Sequence, residues 1–384
     1  MYSYNRHNIS KLDIASISKS LRSKFITKGY FFKLFEKKLT KFFNSKFSLV
    51  YSSATLALFS VAKCLNWGEK DFIILSPISF VAGANAISSV KAKPTFVDID
   101  EYFNLDPVKV ENKIIALKKQ RKRVSTILVT DYAGNPAQWK KFLQLKRKYK
   151  LTLINDNCHS LGAKLKNDSQ YAVKYADIVV QSFHAVKNIT TAEGGAIITN
   201  NKKHYTKLKS LREHGFIIND KNISPWSYDM NFIGYNARLS ELNCALGSSQ
   251  IKKLKFNIRK RNEIASFYNK IFRKIEHCKL PKVSKDNYCA YHLYPMRFDW
   301  KKIKIKKLKF YEILKKKYGI NLQIHYKPTY KFNYYKSKTK INLKDFNNTE
   351  KFYNEVFSIP MYVGLKKKDL KYIANAIIKT IKKV

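Results

Sequence analysis

Residues 47–77 read "FSLVYSSATLALFSVAKCLNWGEKDFIILSP". Two short apolar runs, "FSLVYSS" and "FIILSP", flank the helical pattern "ATLALFSVAKCL". That is a strand, a helix and a strand, with small hydroxyl residues where the first strand must turn into the helix. The same alternation continues along the chain. "KPTFVDID", "TILVTDY", "LTLINDN" and "DIVVQSF" read as buried strands, and "VAGANAISSV" and "AQWKKFLQLKRKYK" as helices. Alternating strands and helices predict an α/β fold whose mostly parallel sheet is covered on both faces.

Upstream, Phe32, Leu34, Phe35, Leu39, Phe42 and Phe43 fall at helical spacing. From about Gly234 the reading turns helical, and a smaller α/β part begins near Lys279. The expected organisation is a large α/β domain with an N-terminal arm over residues 1–233, connecting long helices over 234–278, and a small C-terminal domain over 279–384.

The 384 residues are 45% apolar, enough for a sizeable core and more than one domain. No apolar run approaches 18 residues, so no membrane span is expected. The start, "MYSYNRHNISKLD", lacks an apolar stretch of the signal-peptide kind. Cys64, Cys158, Cys244, Cys278 and Cys289 are scattered without C-x-x-C pairs. That argues against a zinc site or a disulfide framework and fits a reducing cytoplasm. Lys+Arg 75 against Asp+Glu 27 gives a net charge of +48. The lysines are spread over polar helix faces such as "KKIKIKKLKFYEILKKKYG" and form no single block. They read as compositional drift, with no specific nucleic-acid partner expected, although an anionic substrate would be steered by the charge.

In open α/β sheets, ligands bind beyond the carboxyl ends of the strands. Ser52–Thr55, Ser76–Phe80, Asp131, Asp156 and Ser182 all sit at such ends. In "YSSATLAL" the amides of a helix start and nearby hydroxyls can hold a phosphate, or form an ordinary cap. In "INDNCHSLGA" a strand-end Asp156 needs a cation or donor, which a pyridinium nitrogen or the next turn can supply. His159 reads as a satisfied polar residue or as a catalytic neighbour. In "SFHAVKNITTAEGG" (182–195) Lys187 is boxed between a strand and a glycine pair. Burial lowers a lysine from its reference of about 10.4, and a neutral amine can attack an aldehyde. An anion cradle, a carboxylate and an amine on one sheet edge are what pyridoxal 5'-phosphate needs.

The stretches "SPISFVAGAN", "TDYAGNP", "NDNCHSLGA", "SFHAVKNITTAEGGAIITN", "GYNARLSELNCALGSSQ" and "INLQIHYKPTY" occur in this order. Together they resemble the nucleotide-sugar aminotransferases, pyridoxal-phosphate enzymes that aminate keto-sugars, from about Tyr4 to Pro360. The resemblance implies the aspartate-aminotransferase-like fold, fold type I of these enzymes. It implies Lys187 as the Schiff-base lysine, Asp156 as the pyridinium partner and His159 beside the ring. Phe80 falls where an aromatic side chain stacks on the ring; by itself it reads equally as a core phenylalanine. Ala54, Thr55 and Ser182 fall at the phosphate. Asn236 falls where relatives reach the neighbouring subunit's cofactor phosphate, which implies a homodimer with shared sites. Tyr4, Lys28, Arg238, His325 and Tyr326 fall on the substrate side. Two stretches depart from the common pattern: Ala54 stands where many relatives have glycine, and "TKGYF" lacks the proline that often follows the glycine. "SFHAVKNITTAEGGAIITN", "TDYAGNP" and "QIHYKPTY" are most like the branch that aminates C4 of a UDP-linked 4-keto-6-deoxy-N-acetylhexosamine on the way to pseudaminic acid, with L-glutamate as donor. Other keto-sugars, such as 3-keto or dTDP-linked ones, and a non-catalytic cationic binding protein are the alternatives. The sugar dehydratases on this scaffold replace the lysine with histidine, which Lys187 speaks against.

Overall fold

A computed structural model describes residues 1–217 and 226–382. The chain opens with α1 (Lys11–Leu21) and α2 (Tyr30–Phe43). Strands and helices then alternate: β1 (Phe47–Tyr51), α3 (Ala54–Cys64), β2 (Asp71–Leu75), α4 (Ala82–Ser89), β3 (Lys93–Phe96), α5 (Pro107–Lys119), β4 (Arg123–Thr130), α6 (Trp139–Tyr149) and β5 (Thr152–Asp156). After β6 (Lys164–Leu165) and α7 (Tyr171–Tyr175) come β7 (Ile178–Ser182), β8 (Gly195–Thr199) and α8 (Lys202–Arg212). A short ribbon pairs β9 (Phe216–Ile217) with β10 (Asp229–Met230). Helices α9 (Glu241–Gln250) and α10 (Leu254–Phe272) lead to the C-terminal part. That part holds β11 (Cys278–Lys279), β12 (Asn287–Tyr288), β13 (Tyr294–Phe298), α11 (Trp300–Ile303), α12 (Lys307–Tyr318), α13 (Asn333–Lys338), α14 (Asn347–Glu355), β14 (Val356–Ile359) and α15 (Lys367–Lys382).

The seven-stranded sheet has the order β1-β8-β7-β5-β4-β2-β3. Five neighbours, β7, β5, β4, β2 and β3, pair in parallel, and β8 runs antiparallel to both β7 and β1. Six strands therefore point the same way, and their carboxyl ends share one edge. The reversed β8, "GAIIT", was not among the strands read from the sequence.

The apolar runs divide by parity between two cores, as period-2 geometry requires. Val50, Ile74, Ile127, Val129, Leu153, Val179 and Ile198 face one core, together with α2, α5 and α6. Leu49, Ile73, Leu75, Leu128, Ile154, Val180 and Ile197 face the other, under α3, α4 and α8. A third core lies under the sheet β11-β13-β14, with α12 and α15. Helix α10 joins them: Leu254 and Ile258 pack in the first core, and Ile264, Tyr268 and Phe272 in the third. The lysine-rich stretch "KKIKIKKLKFYEILKKKYG" spans parts of two helices, α11 and α12, with Lys304 between them in the left-handed region at φ 55. Among the described residues, no helix is long and apolar enough to cross a membrane.

Candidate active site

Sheet register brings the chemistry together. Thr130 pairs beside Asp156, and Ser182 beside Gly195, which pairs in turn with Tyr51. The loop after β7 then turns back, with the Lys187 amide donating to His184 O at 2.9 Å. The Asn188 side-chain amide donates to Leu161 O at 3.1 Å and His159 O at 3.5 Å. The Asn257 amide of α10 donates to Asn188 O at 3.0 Å. The lysine loop is thereby tied to the loop that follows β5. Lys187 is half-buried. Burial lowers its affinity for a proton, opposed by the nearby Cys158 and Asp156.

Asp156, 8% exposed, accepts from Thr130 Oγ1 at 3.0 Å and Ser79 Oγ at 3.5 Å on Oδ2, and from the Cys158 amide at 3.2 Å on Oδ1. Four lone-pair sites for three donors leave room for one more N–H. His159 is buried; its Nδ1 accepts from the Ala133 amide at 3.2 Å and its Nε2 lies 3.1 Å from the Tyr326 hydroxyl. Burial, then the charge of Lys187, then His325 hold His159 well below the usual imidazole range. His325 faces Ser358 Oγ through Nδ1 at 2.9 Å, and burial, with Lys187 adding, depresses it to about 3. Tyr4 stacks at a tilt on His325, their ring centroids 4.7 Å apart. Phe80 is 59% exposed, so it is not a core residue, and its ring lies 6.1 Å from that of Tyr326.

The turn into α3 gathers the kinds of group that an anion needs. Ser53 caps the helix by accepting from the Leu56 amide at 3.1 Å. Ala54 and Thr55 begin the helix, where amides have no intrahelical acceptor. Among the described residues, the buried Ser52 hydroxyl has no hydrogen-bond partner. Gly195 lets the cradle sit against β8, since a Cβ there would lie 2.4 Å from Ala54 N. Ser182, 8% exposed, is in register with this glycine. An orphaned hydroxyl, free helix amides, a carboxylate with spare capacity and a desolvated amine fit pyridoxal phosphate.

The remaining expected residues lie around this edge. Arg238 bridges to Tyr51, and Asn236, exposed, bridges to Glu213. Lys28 Nζ is 2.6 Å from Glu213 Oε2, and Arg212 holds the other carboxylate oxygen at 3.5 Å. Burial raises the Glu213 carboxyl, but Lys28 and Arg212 outweigh it and the net shift is downward. In this structure Lys28 therefore engages a carboxylate rather than standing free. A groove of about 690 Å³ at the outer edge of β3, between α5 and residues 334–342, is lined by neither Lys187, Asp156 nor the turn into α3. Chemistry, not volume, locates the site.

Four participants were not assigned from the sequence. Thr130 and Ser79 hold Asp156. His292, 2% exposed, packs its ring 4.4 Å from that of His159. Asp131, noted only as a strand-end residue, is fully buried. It accepts from the Ala137 amide and Trp139 Nε1, both at 2.8 Å, and from the Tyr171 hydroxyl at 2.7 Å. Burial still pushes its carboxyl up to about 6. Strand-end position was the one signal pointing to Thr130 and Ser79; none pointed to His292.

Fold and site together define a pyridoxal-phosphate enzyme of fold type I. The sequence matches the DegT/DnrJ/EryC1/StrS aminotransferase family over residues 7–378, and the chain belongs to that family of pyridoxal-phosphate-dependent nucleotide-sugar aminotransferases. It is 37% identical over 385 residues to UDP-4-amino-4,6-dideoxy-N-acetyl-beta-L-altrosamine transaminase of Campylobacter jejuni, covering 100% of this chain and 98% of that one. It is similar to the structure of Helicobacter pylori PseC, an aminotransferase involved in the biosynthesis of pseudoaminic acid. There the TM-score is 0.90 at 32% identity, over 100% of both chains. NtdA from Bacillus subtilis, solved with bound cofactor PMP, matches with TM-score 0.83 at 25% identity, over 97% of this chain and 83% of that one.

Proposed function

We propose that this chain moves an amino group from L-glutamate to C4 of a UDP-linked 4-keto-6-deoxy-N-acetylhexosamine, in the cytoplasm, as a step towards pseudaminic acid and cell-surface polysaccharide. The observation that carries the reading is the meeting of Lys187, Asp156 and the α3 cradle on one sheet edge. The full-length similarity to the Campylobacter transaminase supports the choice of substrate.

The cofactor, when bound, supplies an aldehyde for an amine and a cationic ring that accepts electrons. The Ala54 and Thr55 amides and the Ser182 hydroxyl hold its phosphate at the positive end of α3. Asp156 takes up the ring N–H on its spare lone pair and keeps the proton there. His159 would lie beside the ring, with Phe80 as an aromatic partner. Lys187, poor in proton affinity because it is desolvated, would take up a proton at Nζ and give it up again from the same atom. Tyr4, Lys28, Arg238, His325 and Tyr326 receive the substrate, with the two cations suited to a diphosphate. Glu213 holds Lys28 until an anion competes for it.

In a homodimer, Asn236 reaches the other subunit's phosphate. The exposed apolar residues Leu12, Ile14, Leu21, Phe25, Ile26 and Tyr30 support such an interface.

The test is a spectrum of the purified holoenzyme. L-glutamate should bleach the cofactor absorbance, and the UDP-linked 4-keto-sugar should restore it. Restoration only by a 3-keto or dTDP-linked sugar moves the substrate elsewhere within the family. Lys187→Ala should lose turnover by several orders of magnitude; retained turnover with glutamate would end the reading.

A further inference from the structure

The hydrogen bonds around His159 fix more than its position. Its Nδ1 accepts from the backbone amide of Ala133, and a peptide N–H has no other role to play. The proton of the neutral ring is therefore on Nε2, which faces the Tyr326 hydroxyl at 3.1 Å. Tyr326 must accept that bond, so its own O–H remains to be given. Among the described residues, the Tyr326 hydroxyl makes no other hydrogen bond.

The tautomer is built into the backbone. Ala133 sits in the left-handed region at φ 57 and ψ 6, followed by Gly134 at φ 94. A Cβ on residue 134 would come within 2.9 Å of both His159 O and Tyr291 N. The Ala290 amide donates to Gly134 O at 2.8 Å and locks this turn to the segment that enters the C-terminal part. From that segment, His292 backs the His159 ring. The tyrosine is fixed as well: the Tyr132 hydroxyl donates to His325 O, and Ser358 meets the His325 ring. Burial keeps the Tyr326 hydroxyl protonated and the His159 ring neutral.

We propose that Tyr326 donates a hydrogen bond to the carbonyl oxygen of the keto-sugar, and that His159, set by the Ala133 amide, aims it. A neutral O–H suits a neutral carbonyl; a donor carboxylate, being an anion, is better met by a cation. The proposal rests on the sugar-aminotransferase reading and assigns the two halves of that reaction unequally. No proton leaves Tyr326. His159 acts as a positioning residue for Tyr326 and not as an acid.

The experiment follows the two half-reactions of Tyr326→Phe separately by stopped-flow absorbance. The keto-sugar half should fall about 100-fold, the usual loss for one such donor, and by clearly more than the glutamate half, which begins from an amine and not from a carbonyl. An unchanged keto-sugar half, or equal losses in both halves, overturns the proposal. With wild-type turnover of the keto-sugar as the control, that failure is separate from failure of the functional reading. ¹⁵N-histidine NMR of the wild-type holoenzyme gives a second test without any variant. His159 should show a protonated Nε2 and a bare Nδ1 at neutral pH; the opposite tautomer overturns the relay whatever the substrate proves to be.

Discussion

Asp131 and Asp156 stand at the ends of neighbouring strands, and their surroundings separate them. Asp131 spends its lone pairs on Ala137, Trp139, Tyr171, Asn155 and Asn157. Asp156 keeps a site free. Asp156→Asn should lower turnover at least about 100-fold with little change in melting temperature, since the proposed partner of the ring nitrogen loses its charge. Asp131→Asn should do the reverse. It points an amide at a ring of donors and should cost about 3 kcal/mol in urea unfolding, the usual penalty for buried polar groups left unpaired. The sequence placed both residues at the right edge. It could not rank them, because the donors that distinguish them lie up to 77 residues away and converge only in the fold. Lys187 and Asp156 were legible because strand periodicity fixes where a run ends. His292 was not, because its meaning comes from a ring 133 residues earlier in the chain.

Helix starts carry the next scale. The N-terminus of α2 has Gly29 at its cap and no cap of its own. Glu241 at the start of α9 supplies it, with Oε2 accepting from the Gly29 amide at 3.1 Å and the Phe32 amide at 3.0 Å. Glu241→Ala leaves those amides unpaired and should lower stability by about 3 kcal/mol, read by denaturant titration. At α3 the approach of β8 is decisive. Gly195→Ala should push the cradle off the sheet and weaken cofactor retention at least about tenfold, measured by dialysis and reconstitution, since a 1 Å misplacement is costly. Retention equal to wild type would mean that the cradle does not hold the phosphate. Six of the seven sheet strands and the helices α2, α3, α4 and α6 were readable because both faces of the sheet are buried and the runs are strongly apolar. Helices α1, α5 and α8 were missed, since lysine-rich polar faces dilute the period. In α8, "KKHYTKLKSLR", only Leu208, Leu211 and Arg212 are buried. The strand β8 was hidden inside a stretch that reads as a motif.

Across the whole molecule, three buried histidines share one direction. His159, His292 and His325 are all held below the ordinary 6.5, chiefly by burial. The unfolded chain takes up protons that the folded chain refuses. Stability is therefore full above the ordinary histidine value and lost as pH falls below it, approaching about 4 kcal/mol per pH unit near pH 5 for three protons. Melting temperature measured from pH 8 to pH 5 should fall accordingly, and His292→Phe should flatten the slope by one proton. The proposed shared sites give a second expectation. Mixed and reassociated subunits of Lys187→Ala and Asn236→Ala should recover activity that neither has alone, because one site in each mixed dimer is then intact. Without sharing, no activity returns. The high net charge remains outside the mechanism except as a field that draws anionic substrates, so the KM for a nucleotide sugar should rise with salt. All of this depends on one lysine carrying the cofactor, and borohydride reduction followed by peptide mapping asks that directly. The account predicts the pyridoxyl group on Lys187 alone; a colourless protein after addition of pyridoxal phosphate, or the label on another lysine, contradicts it.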